Sequence, residues 1–321
     1  MSEALNCTVF DFMDDRSFTR NHGNDDIEAI RALAISLAES SRNRITENLP
    51  RDAEGLNINR VESFLKKHGF DVGVFSIINE ENRDSLENIL KKYQLMPKLG
   101  SCNGQSITHL GWSYVLRQPE LEAQNGVGYT ESLLVHELGH MTGAKYITAA
   151  VPSSNSKIFM GTNIEYSRAG MVINNNARPE GLFFEEAFAS LLQYKYITEE
   201  LGLENGFGNI GTFEIGLNDV CVASGVPAKY LLKSANGRYE VFDIPILAAA
   251  TFETLEVQCP GIIDLLFNAR SDITSMRALA ISLNNLEHGL YRKLRKLTYT
   301  VEDFAKGYTL VQNISTDAQS S

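Results

Sequence analysis

Two histidines sit four residues apart in an apolar, helix-patterned stretch, His136-Glu137-Leu138-Gly139-His140. Nothing else in the sequence constrains the fold as tightly. Residues four apart on an α-helix lie one turn apart on the same face, so a helix here turns both imidazoles toward one locus. The flanks fit a helix. Thr130, after Gly128-Tyr129, is placed as its N-cap; Leu133, Leu134 and Leu138 supply an apolar face; Gly143 is placed as its stop. Imidazole pairs suit zinc, a good acceptor of nitrogen ligands that imposes little geometry of its own. Glu137 would then lie beside water held by that ion. Two core histidines with no metal would give the same pattern, so the rest of the chain must decide.

Composition narrows the classes. The chain has 321 residues, 43% of them apolar and 21% charged, enough for one large domain or two to three small ones. A formal net charge of −11 argues against nucleic acid as the main partner. Cys7, Cys102, Cys221 and Cys259 lie far apart with no CxxC pair, the pattern expected of free thiols rather than a cysteine zinc knuckle. The opening residues are acidic and lack a basic and then apolar leader, and no apolar run is long enough to span a bilayer. A cytoplasmic protein with no membrane partner is the expectation.

Periodicity divides the chain into three parts. Residues 1–49 read as an N-terminal helical segment: polar and irregular to residue 24, with His22 in a loop, then a helix from Asp25 or Asp26 to Glu39. Residues 50–205 read as the core. It holds a helix over Asn59–His68 stopped by Gly69, a strand over Val72–Ile78 and a helix over Asp84–Tyr93. A strand over Ser106–Gln118 follows, with His109 on one of its faces and an edge open to an extended peptide. After the histidine helix come a hairpin within Lys157–Ile173 and a helix over Leu182–Ile197. Residues 206–321 read as mostly helical. A short helix is expected over Val226–Leu232, a turn at Asn236-Gly237, and helices over Asp243–Leu255 and Gly261–Ala269. One long helix is expected from Asp272, with a core-packing stripe running from Met276 to Leu297. The heptapeptide RALAISL occurs twice, at Arg31–Leu37 and Arg277–Leu283; its flanks differ, so it marks no repeat.

Two histidines leave zinc short of protein ligands, since a catalytic site takes three and keeps water in the fourth position. Tyr146 stands where an HExxHxxGxxH pattern would place a third histidine, and that departure counts against such a site. Glu165 lies in an expected strand. Glu185 and Glu186 lie on the helix over Leu182–Ile197, among Phe183, Phe184 and Phe188. A carboxylate among aromatic residues needs a partner, and a metal is one.

The order HExxH, then Glu185-Glu186-Ala187-Phe188-Ala189-Ser190 on a later helix, resembles the gluzincin metallopeptidases. In that zincin group a downstream glutamate completes the zinc site. The resemblance covers two short motifs and the order of elements over residues 60–200, not the C-terminal third. It implies an α+β, zincin-like core with a small sheet and an active-site helix, followed by a mostly helical C-terminal region. It implies Zn2+ held by His136, His140 and Glu186, with Glu185 the next choice of third ligand, and Glu137 as the catalytic residue in peptide-bond hydrolysis of a protein or peptide substrate. Two positions depart from the pattern: Glu185 replaces a common asparagine, and Ser190 stands where some members carry an aspartate that orients a ligand histidine. Tyr166, Arg168 and His288 are candidates to stabilise an oxyanion. The alternative expectation is a catalytically inactive zinc-binding regulatory or interaction protein. A helical protein with an accidental motif is a further one.

Overall fold

The computed structural model describes residues 8–11, 42–51, 54–92, 104–107, 111–117, 119–143, 145–149, 164–175, 178–203, 215–217, 220–222, 231–233, 239–241, 246–298 and 300–320. The helix expected up to Glu39, the loop assigned to His22 and the strand position assigned to His109 lie outside these residues. Among the described residues helices and small sheets are mixed, as an α+β chain requires.

The N-terminal part carries β1 (Thr8–Asp11), where an irregular segment was expected, because its backbone pairs with a strand far along the chain. A helical turn follows over residues 42–46. Helix α1 (Ile58–Lys67) starts where the Asn57 side chain accepts from the Arg60 N–H, and it buries Val61, Phe64 and Leu65, as its spacing predicts. Strand β2 (Val74–Ile78) and helix α2 (Arg83–Lys92) follow.

The single strand expected over Ser106–Gln118 is instead two. Gly111, at φ +64°, takes a left-handed turn that side-chain-bearing residues avoid. It separates β3 (Gly104–Ile107) from β4 (Trp112–Leu116), which pair antiparallel. β2 lies parallel to β4, giving the order β2-β4-β3 and leaving β3 at an edge. Helix α3 (Pro119–Asn125) leads on to α4 (Gly128–His140), the histidine helix.

Both ends of α4 differ from expectation. The helix begins two residues before Thr130, with Val127 at the cap position and no side-chain cap; the Thr130 hydroxyl donates to Glu122 instead. It ends at His140, capped at Met141, so Gly143 is not its stop. A Cβ on Gly143 would lie 2.5 Å from the Cα of Gly170. Gly143 is therefore small because two backbone segments cross there.

A five-stranded antiparallel sheet follows, in the order β1-β5-β6-β7-β8. Its remaining strands are β5 (Lys145–Ala149), β6 (Ile164–Ala169), β7 (Val172–Asn175) and β8 (Arg178–Glu180). β6 and β7 form the expected hairpin around Gly170. Helix α5 (Leu182–Glu199) comes next.

Two short hairpins open the C-terminal part: β9 (Ile215–Leu217) with β10 (Val220–Val222), and β11 (Leu231–Lys233) with β12 (Tyr239–Val241). The second straddles the Asn236-Gly237 turn signal. Leu231 and Leu232 are thus in a strand rather than a helix, because pairing across that turn takes up their backbone groups. Helices α6 (Ile246–Gln258) and α7 (Ile262–Ala269) follow as expected. Asp272 caps α8 (Ile273–Leu286), accepting from the N–H groups of Thr274 and Ser275. The one long helix expected here breaks at residues 287–289, with Gly289 at φ +78°, and resumes as α9 (Leu290–Arg295). The leucine stripe survives the break: Leu279, Leu283, Leu290, Leu294 and Leu297 are buried. Helix α10 (Val301–Ser320) is the last element. No helix among the described residues is long and apolar enough to cross a membrane.

Helices α4 and α5 are the buried centre of the molecule. Neither has a single apolar stripe; α4 is buried from Gly128 through His136, and α5 buries fourteen residues. A helix apolar on all sides must be covered on all sides. Strands β3 and β4 and helix α5 cover α4, while α6, α7 and α9 cover α5. One continuous cluster runs from Val61 and Phe64 through Leu134 and Phe188 to Leu279 and Val311.

Gly139 sets the closeness of α4 and α5. A Cβ there would lie 3.3 Å from a Leu192 methyl carbon and 3.5 Å from the Phe188 ring. Gly139→Val adds branched bulk with nowhere to go. It is expected to cost about 2–3 kcal/mol, the usual range for overpacking, read as a lower urea midpoint at unchanged slope. A loss under about 0.5 kcal/mol would show that the two helices can part there.

Candidate metal centre

The polar residues of α4 and α5 gather where the two helices meet. His136 and His140 extend from the last two turns of α4, and Glu185 and Glu186 from the first two turns of α5. The structure brings His136, His140 and Glu186 together, with one ligand atom from each within 4.8 Å of the others. His136 Nε2 and His140 Nε2 are 3.2 Å apart. Glu186 Oε2 is 3.2 Å from the first and 3.5 Å from the second.

These separations test whether a metal fits. Ligand atoms about 2.0–2.1 Å from a tetrahedral zinc are about 3.3 Å from one another. The three observed distances have that size. The orientation of Glu186 agrees. Its Oε2 is buried and within ion-pair distance of both rings, yet it makes no hydrogen bond of acceptable geometry among the described residues. A buried carboxylate oxygen without a donor costs free energy, and a cation at the point shared with the two rings would remove that cost. The donor set, two imidazoles and one carboxylate, suits zinc.

The electrostatics favour a positive charge at this point. Burial opposes ionisation of Glu186, but His140 and His136 outweigh it and hold the carboxyl far below its usual range. Burial also opposes protonation of His140, and Glu186 and Glu185 reverse that, raising the imidazole well above its usual value. Two carboxylates face one ring, so either a proton or a metal ion is drawn in.

Glu185 has a different place. Its Oε1 lies 3.4 Å from His140 Nδ1, the ring nitrogen turned away from the shared point. The same carboxylate accepts from the Met171 N–H at 2.9 Å and from Arg270. Glu185, the second choice of third ligand, thus faces the opposite ring nitrogen of His140 from the one that Glu186 approaches. Ser190, which replaces the aspartate of the related pattern, is buried on α5.

Glu137 packs against β3. Ser106 Oγ donates to its Oε2 at 2.8 Å and also reaches its backbone oxygen. Gly104 leaves room for it, since a Cβ there would lie 2.8 Å from Glu137 Cγ. Burial raises the Glu137 carboxyl, against the opposing pull of His136, His140 and Ser106.

The other sequence candidates fall elsewhere. Tyr146 is on β5, and Glu165, Tyr166 and Arg168 are on β6. His288 is exposed in the turn after α8. Two residues at this junction were missed. Arg270 ends α7 and is 2% exposed, and Ser106 was read only as part of a strand. A lone arginine between apolar Leu265–Ala269 and the Asp272 cap was the one available signal for the first. Comparison of the chain with protein-family models, with curated proteins and with solved structures gives no match.

Proposed function

We propose that the chain is a zinc-dependent peptidase with a zincin-like, gluzincin-type core, in which His136, His140 and Glu186 hold the metal and Glu137 carries protons. The observation that carries this reading is the spacing of the three atoms, 3.2, 3.2 and 3.5 Å, together with a half-buried glutamate one residue after His136. Zinc bound there would acidify a water and polarise the substrate carbonyl.

The chain's own residues do the rest. Glu137 accepts a proton from the attacking water and returns it to the leaving amine, so one carboxyl serves as base and then as acid. Ser106 holds that carboxyl by donating to Oε2. Strand β3 lies at a sheet edge against the Glu137 side of α4. Its outer backbone groups can pair with an extended peptide, which would lay a scissile bond along the motif helix without requiring a particular sequence.

The test is cleavage of a mixed peptide library by zinc-loaded protein. Cleavage that stops with a chelator and returns with added zinc is the expected result. A zinc-loaded, folded protein that cuts no peptide and no denatured protein would leave the zinc-binding regulatory alternative in its place.

A further inference from the structure

The Glu185–Arg270 pair lies behind the metal centre, joining it to the C-terminal helices. Arg270 approaches from the end of α7, and its guanidinium stacks 3.7 Å over the Phe188 ring. Nε donates to Glu185 Oε2 at 3.1 Å and Nη2 to Glu185 Oε1, a two-point grip. Two further hydrogen bonds reach α4: Nη2 to the Gly139 carbonyl at 2.9 Å and Nη1 to the Thr142 hydroxyl. That carbonyl belongs to the last turn of α4, where it also accepts from the Thr142 N–H and hydroxyl and where cations are favoured. One arginine thus holds both the carboxylate that faces His140 and the end of the helix that carries His140.

The surroundings are shaped to keep this arrangement. Gly170 stands at φ +58°, and a Cβ there would lie 2.2 Å from Glu185 Oε2. Met171 N–H completes the carboxylate's partners. Ion pairs this deeply buried seldom outperform apolar side chains of the same size in stability alone. Their presence against a ligand ring asks for another role. A ligand histidine commonly donates its second N–H to a carboxylate, which fixes the tautomer and the ring orientation and makes the ligating nitrogen more basic.

We propose that Glu185 and Arg270 are a positioning pair for the metal centre. Glu185 accepts the Nδ1–H of His140 and so directs Nε2 at the metal, while Arg270 fixes Glu185 and the end of α4. The inference rests on the metal-centre reading and adds that the C-terminal region, through Arg270, sets how tightly the metal is held.

Zinc affinity, measured by competition with a chromophoric chelator, tests it on the full chain, alongside the visible spectrum of the Co2+-loaded protein. Glu185→Gln keeps the shape and removes the charge; it is expected to weaken zinc binding by about 10-fold and to shift the cobalt bands. The apolar exchange Glu185→Leu with Arg270→Met removes both charges together, which leaves neither stranded, and is expected to weaken zinc by up to about 100-fold, the range seen when such partners are lost. Arg270→Met added to Glu185→Leu should weaken zinc less than Arg270→Met does in the otherwise unmodified protein, because Arg270 acts in part through Glu185 and in part through the end of α4. A purely structural pair would lower the unfolding temperature of the metal-free protein and leave the affinity and cobalt spectrum of the folded protein unchanged, and that result would overturn the proposal. If the unmodified protein takes up neither zinc nor cobalt, the metal-centre reading itself fails, and the positioning role with it.

Discussion

Glu137→Gln is expected to reduce peptide hydrolysis by about 10^2- to 10^4-fold, the span associated with loss of a positioned proton carrier, while zinc content stays unchanged. The substitution is nearly isosteric. An amide fits the space left by Gly104 and still accepts from Ser106, so the fold has no reason to change. What the amide cannot do is take a proton from water. Glu137 is not among the three converging ligands, so metal binding should not follow activity downward. Turnover numbers on a cleaved library peptide, with zinc measured on the same samples, check this. Activity within about fivefold of the unmodified protein would remove Glu137 from the chemistry.

The largest effect on stability is expected at a position with no part in that chemistry. Glu131 lies on α4, five residues before His136, and is fully buried. Its carboxylate accepts from the Asn57 N–H at 2.7 Å, from Arg60 Nε at 3.1 Å and Nη2 at 2.5 Å, and from the Tyr196 hydroxyl. It therefore ties the start of α1, the histidine helix and the far end of α5 into one knot. Glu131→Ala removes the acceptor and leaves the donors behind. Breaking a buried pair by deleting one partner costs about 3–5 kcal/mol. The lower end applies here, because the Arg60 side chain keeps 30% of its exposure and can turn to water. Denaturant unfolding of the metal-free protein should show a loss near 3 kcal/mol, accompanied by a fall in midpoint temperature of about 5–10 °C. A change below about 1 kcal/mol would mean that the knot does not bear on stability.

The contrast between these two residues shows what the sequence made legible. His136 and His140 stand four residues apart, so local geometry alone predicts that they share a face, and Glu137 adjoins the first of them. Glu186 needs a longer step: the aromatic residues argue only that the Glu185-Glu186 pair is buried and needs a partner, and the choice of Glu186 within it rests on the resemblance to the gluzincin motif. Glu131 gave no such signal. It looks like any acidic residue on a helix, and its partners lie 65 to 74 positions away. Arg270 is harder still, since it meets Glu185 across 85 positions and Gly139 across 131. Contacts at that distance are set by how helices pack, and no local pattern encodes them.

The same physics explains the misplaced elements. α1 was legible because its cap, apolar stripe and glycine stop agree. The strand from Ser106 was drawn too long because alternation runs on through a glycine whose left-handed turn shows only in the backbone. The long helix from Asp272 was drawn too long for a similar reason, since the leucine spacing continues across Gly289 although the backbone does not. In both places side-chain periodicity reports which residues face the core, and it is silent about where the chain bends between them.

The central claim is that His136, His140 and Glu186 form one metal site, and metal content tests it most directly. Protein purified without added metal, then dialysed against limiting zinc, is predicted to hold about one zinc per chain. His136→Ala, His140→Ala and Glu186→Gln should each abolish stoichiometric retention, and Glu185→Gln should keep it at a weaker affinity. No zinc in the unmodified, folded protein after zinc has been supplied, or full retention in Glu186→Gln, would contradict the site as drawn.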